Sequence, residues 1–187
     1  YDGPIRQFPF RDGSGKFELR GHVRRGVYRF LTGWEPIRQA EVDVAINGAE
    51  VTVTGDGKIG KLDATQVAVS ARDDGSGHNA VHIGGKVSGA LDETLRVLRA
   101  VEPGSAATSG LAYLPSGLRA SGNGILSLDI TLPPGGQPMQ LLGEYRFMKN
   151  ALRFADAPVT AEAIEGRVAF TETGLGEGNL RARLLGG

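Results

Sequence analysis

Gly55, Gly57 and Gly60 stand in GxGxxG spacing directly after an alternating run, with Asp74 downstream. A dinucleotide-binding turn presents its glycines, its helix and its ribose carboxylate in that order. That chemistry requires a helix that begins at the glycines, so that free N–H groups meet the pyrophosphate. The next residues alternate through Val67 and Val69 instead, and the stretch reads as a glycine-punctuated hairpin. His78 and His82 are four apart, a chelating interval on a helix, but on a strand that interval spans ~13 Å, too far for one ion. His22 is the only other histidine, and no acidic residue is evidently aimed at it. No metal site is expected. Asp73-Asp74 in RDDGSG has the composition of half a carboxylate pair, and Asp12-Gly13-Ser14-Gly15 is similar; in glycine-rich turns both read more simply as solvated loop tips. The chain has no cysteine and no GxSxG elbow, which removes thiol nucleophiles and the usual serine setting. Arg24, Arg25 and Arg29 cluster near the amino end. They read as a solvated strand edge, with contact to acidic head groups as the sharper alternative.

The elements that would position these groups are strands. Period-2 alternation predicts strands over 16–23, 26–31, 40–46, 49–54, 65–71, 80–89, 124–132, 139–147, 151–155, 165–170 and 179–185. Asn47-Gly48 is a hairpin signal between two of them. LDETLRVLRAV, residues 91–101, instead spaces Leu91, Leu95 and Leu98 helically, with Asp92 and Glu93 in the first turn and Pro103-Gly104 as a stop. It predicts a short amphipathic helix inserted in the sheet, with Leu95, Leu98 and Val101 packed on the strands or capping one mouth. A weaker helical turn is expected within 105–117. Laying 28–51 over 152–175 pairs Arg29 with Arg153, Phe30 with Phe154, Glu41 with Glu165, Val44 with Val168 and Ala45 with Ala169, a weak internal repeat of a hairpin-rich unit.

Composition narrows the function. Twenty-one basic and twenty-one acidic side chains cancel in 187 residues, which leaves no global field for nucleic acid. The length suits one domain. The 29 glycines lack a collagen-like period and read as turns. No run approaches the ~20 apolar residues of a membrane helix, and YDGPIRQFPFRDG lacks the form of a signal peptide. A first residue of tyrosine and a strand pattern that stops at Gly186-Gly187 fit one segment, 1–187, of a longer repeat-built chain. The fold class expected is all-β, mainly antiparallel: a meander of hairpin repeats with one short helix.

Val42, Val44, Ile46, Val51, Val53, Val67, Val69, Val81, Ile83, Leu126, Leu128, Ile130 and Leu132 form successive period-2 stripes, and a stripe on every strand must face something. Two answers remain open at this level. One is a closed sandwich or barrel filled by its own side chains. The other is a curved sheet folded into a U-shaped trough whose inner face is left for a guest.

FPFRDGSGKFELRGHVRRGVYRFLTGWEPI (8–37), KVSGALDETLRVLRAVEP (86–103), SGNGILSLDITLPPG (121–135), LLGEYRFMKNALRF (141–154) and IEGRVAFTETGLGEGNLRARLLGG (164–187) together resemble the YhdP-like branch of the AsmA-like bacterial envelope proteins. The resemblance spans nearly the whole chain. It implies a large protein of a diderm bacterium, anchored in the inner membrane by a helix outside these residues. Such a protein crosses the periplasm as a β-trough and carries phospholipid toward the outer membrane. Its partners are then phospholipid and neighbouring segments of the same long chain, with membrane contact made by parts not present here. No cofactor and no catalytic residue is implied. The aliphatic stripes become the expected lipid-binding face. A structural spacer or partner-docking module with a filled core is the alternative from another class. A hydrolase or carbohydrate-binding module using Asp73, Asp74 and His78 is the third.

Overall fold

The computed structural model describes residues 2–3, 6, 15–29, 35–73, 79–99, 117–155 and 159–185. Nine antiparallel strands form one sheet whose spatial order is the chain order: β1 (Glu18–Tyr28), β2 (Ile37–Asn47), β3 (Glu50–Ile59), β4 (Leu62–Asp73), β5 (Asn79–Ala90), β6 (Leu118–Leu132), β7 (Gln140–Phe154), β8 (Thr160–Thr171) and β9 (Gly174–Leu185). Helix α1 (Leu91–Arg99) comes directly after β5, and a 3-10 turn at Pro134–Gly136 lies between β6 and β7. β1 and β9 do not pair, so the sheet is an open, curved meander and not a barrel.

The strands are longer than their sequence patterns. The expected strands 16–23 and 26–31 merge into β1, and 139–147 and 151–155 merge into β7. Each junction is a bulge, with register shifts at Val23/Gly26 and at Met148/Asn150, where Arg25 and Lys149 take φ of 53° and 58°. A bulge slips the alternation by one residue, so a single strand with two phases looks like two strands in sequence. The same left-handed residue recurs at Gln39, Gln66, Gly122 and Ala163. One group of bulges therefore lies in β1, β2 and β4 and a second in β6 to β8. Bulges bend and twist a strand locally, and these two groups curl the sheet toward α1.

The bulges have polar support. Arg25 N–H donates to Glu41 Oε1 at 3.2 Å, and Gln66 N–H to Asp56 Oδ1 at 2.8 Å. In the second group Asn150, 0% exposed, accepts from Met148 N–H at 2.7 Å and donates to the Ser121 carbonyl at 3.1 Å. Close approach to the wall needs glycine at Gly143, where a Cβ would collide with the Phe170 ring, and at Gly124, where it would collide with Tyr145.

α1 carries Asp92 and Glu93 in its first turn and Arg96 and Arg99 in its last, the signs the helix dipole favours. Its Val97 is buried with Ile37, Ala40, Ile59, Leu62 and Ala64. Its Leu91, Leu95 and Leu98 are buried with Leu118, Leu126 and Tyr145. The helix thus ties the β2–β4 wall to the β6–β7 wall. A third cluster, Val69, Ile83, Ile130 and Leu141, fills the floor between them. Val101 and residues 105–116 lie outside the described residues. Residues 28–51 run from the end of β1 through β2 into β3, and 152–175 from the end of β7 through β8 into β9.

Asn150→Ala removes the partner of the Met148 N–H and of the Ser121 carbonyl at a part-buried bulge. A loss of about 1–3 kcal/mol is expected, read as a lower denaturant midpoint; an unchanged midpoint would show that the bulge does not need its amide.

Candidate functional site

The site is a face. Val44 lies opposite Val53 and Ile46 opposite Val51; Val53 lies opposite Val69 and Val69 opposite Ile83. Ile83 then lies opposite Ile130, and Val81 opposite Leu132. Directly opposed residues share a side of the sheet. Val42 and Val67 both face Gly55, while Leu126 and Leu128 face Val87 and Gly85. The register therefore brings all thirteen stripe residues together on one side, the side on which α1 packs.

The same face holds residues that sequence reasoning did not select. Leu19 and Val23 lie opposite Ile46 and Val42, and Leu141 and Tyr145 opposite Ile130 and Leu126. Phe170 lies opposite Gly143, and Leu180 and Leu184 extend the face onto β9. The alternation in LLGEYRF carried the signal for β7; in β1 and β9, arginines and glycines between the apolar residues dilute it. The floor is buried, but the flanks are open: Leu19 is 45% exposed, Val23 43%, Leu180 46% and Leu184 70%. Val42, Val44, Ile46, Val51 and Val53 are half-buried. Between α1 and the sheet remains a cavity of about 50 Å³, lined chiefly by apolar side chains, among them Ile37, Leu62, Val69, Ile83, Leu126 and Ile130.

A polar clasp holds α1 to the far wall. The Glu93 carboxylate accepts from Lys61 N–H at 3.0 Å and from Arg96 at 2.8 Å, and Arg96 also donates to Glu35 at 2.7 Å. Lys61 comes after Gly60, a turn residue with φ of 59°. The glycine-punctuated hairpin is thus confirmed, with Gly55 and Gly57 in β3 and β4 in place of a helix. Its turn does present an N–H to an anion, but the anion is this chain's own carboxylate. Hydrogen bonding from Arg96, then from Lys61 N–H, lowers the pKa of Glu93 to about 2.

The remaining candidates do not converge. Asp73 ends β4, while Asp74 and His78 lie outside the described residues. His82 Nδ1 is 3.0 Å from Thr131 Oγ1, on the face away from α1. His22 does have acidic partners: Asp43 Oδ1 at 2.8 Å and Glu41 Oε2 at 3.6 Å. Pairing of β1 with β2 supplies them from across the strand, where sequence spacing gave no sign of them. Among the described residues no three ligating side chains gather for a metal. Arg24 and Arg25 are exposed on edge strand β1, and Arg29 just beyond it.

The model of a protein family described as YhdP protein matches residues 1–187, the whole chain. The chain belongs to the YhdP family. Membership sets it among the AsmA-like envelope proteins of bacteria. No curated protein and no solved structure matches it. No helix among the described residues is long and apolar enough to cross a membrane. The face of this YhdP-family chain on which α1 packs is therefore mainly aliphatic.

Glu93 has a folded pKa below its ordinary value of 4.5, so its contribution to stability is present above pH 4.5 and is lost as pH falls toward about 2. Glu93→Gln is expected to lower the denaturant midpoint at neutral pH and to match the parent near pH 2. A midpoint difference that stays constant with pH would remove the clasp's ionic role.

Proposed function

We propose that this segment shelters phospholipid acyl chains on its apolar inner face while lipid moves between the inner and outer membranes, and that it catalyses no reaction. One observation supports this above all: thirteen aliphatic side chains share one side of an open sheet whose flanks are left exposed. Moving a two-tailed lipid through water exposes about thirty methylenes at ~0.8 kcal/mol each, on the order of 25 kcal/mol. A continuous apolar wall removes most of that cost. Valine, isoleucine and leucine suit sliding cargo, because dispersion is non-directional and sets no fixed station. On this reading the segment lies in the periplasm, held to the inner membrane by parts outside these residues, and its partners are phospholipid and neighbouring segments of the same chain.

A structural spacer is the second reading, and the small cavity beside α1 favours it, since the wall there is nearly filled. Native mass spectrometry of protein purified from bacterial cells separates the two: the conduit retains phospholipid, and the spacer flies as a clean apo mass. Val44→Asp sharpens the contrast, because Val44 is half-buried on the open flank. The conduit expects lipid to be lost while the fold persists. Unfolding of Val44→Asp, as for a charge placed in a closed core, would favour the spacer. Leu128 packs against two buried clusters, so Leu128→Asp is expected to lower stability as well as lipid retention.

A further inference from the structure

α1 lies where a guest chain would lie. Its Leu91, Leu95 and Leu98 press on Leu118, Leu126 and Tyr145, on the same face that carries the aliphatic stripes. With the helix in place Leu118, Leu126 and Tyr145 are only 9%, 3% and 7% exposed. An acyl chain and the helix therefore cannot share this wall.

We propose that α1 is an internal occupant of the lipid path, and that an acyl chain and α1 compete for the wall formed by Leu118, Leu126 and Tyr145. The inference rests on the lipid-sheltering function proposed for this face. Two further observations point to a helix that can leave. First, its hold on the far wall is Val97 together with the rim clasp. The Arg96 side chain in that clasp is 51% exposed, against 27% for Glu35 and 13% for Glu93, so solvent reaches the cation and screens the pair in part. Second, the closed arrangement leaves the Tyr145 hydroxyl buried with no hydrogen-bond partner, the residue being 7% exposed. The Asn150 amide lies near the hydroxyl but makes its bonds to the Met148 N–H and the Ser121 carbonyl, and burial pushes the Tyr145 pKa up to about 12. A buried donor without an acceptor is a standing cost of the closed state. Withdrawal of α1 opens that cluster, so that water or a lipid ester carbonyl can accept from the hydroxyl. The hinge is at hand, since α1 continues β5 without a loop and Gly89, two residues before Leu91, has φ of 148°.

The chain has no cysteine, so Ile37→Cys and Val97→Cys, members of one buried cluster, can be bridged by a short bis-thiosulfonate linker and released by reductant. The protein is incubated with phosphatidylethanolamine vesicles carrying a diazirine acyl chain, irradiated, and its adducts mapped by peptide mass spectrometry. Bridging is expected to abolish adducts at Leu118, Leu126 and Tyr145, the positions read as β6 labelling here, while those on β2 and β3 remain, and reductant to restore them. Without the bridge, Arg96→Ala raises β6 labelling about two- to fivefold, and Tyr145→Phe, which removes the unpaired donor, lowers it by about fivefold. Equal β6 labelling in the bridged and reduced protein overturns the competition and leaves the lipid-sheltering reading standing. Absence of adducts on both walls overturns that reading and the inference with it.

Discussion

The backbone hydrogen-bond ladder that joins nine strands in chain order, interrupted at the bulges, is the constraint on which the molecule depends. Because each strand satisfies its neighbours' N–H and C=O groups, the two faces of the sheet carry no backbone demand and are defined by side chains alone. Register then decides everything else. A slip of one residue in any one of β3 to β6 would turn that strand's member of the row Val53, Val69, Ile83 and Ile130 out to solvent. The bulges are the controlled version of that slip. In β1 at Arg25, in β2 at Gln39 and in β4 at Gln66 the phase shifts, and neighbouring strands shift near one another, so the apolar residues stay on a common side while the sheet bends.

Bending creates a concave side that must be covered or left to another occupant. α1 covers one part: its leucines meet β6 and β7, its Val97 meets β2 to β4, and its Glu93 and Arg96 close the rim over the Gly60-Lys61 turn. The charged side chains elsewhere pair across strands, as in Lys58 with Asp63, Glu144 with Arg167 and His22 with Asp43. Polar ladders on the solvated side and aliphatic stripes on the other give the sheet its sidedness. The lipid-sheltering proposal rests on that sidedness, because shelter for hydrocarbon needs an extended dry surface.

The glycine motif shows how local chemistry is redirected by its surroundings. A glycine turn frees an N–H for an anion wherever it occurs. The identity of the anion depends on the element that succeeds the glycines, and here β4 stands where a nucleotide fold would place a helix. The free N–H is met by Glu93, more than thirty positions away in sequence, and so serves to dock α1.

Periodicity by itself determined that this is an antiparallel β protein, where most strands lie, that a helix starts at Leu91 within the stretch 91–101, and which aliphatic residues of each strand are in phase, because period and turn chemistry are local properties of the chain. It misread β1 and β7 as broken strands, since a bulge and a turn both interrupt the period, and only a neighbouring strand distinguishes them. It also could not decide between a closed core and a trough, for that depends on whether β1 meets β9. Register across strands, the acidic partners of His22, the clasp on Lys61 and the unpaired Tyr145 hydroxyl all depend on residues distant in sequence. Only the tertiary structure could decide them, because bulge-driven curvature, which no local pattern encodes, sets which walls come within reach of one another.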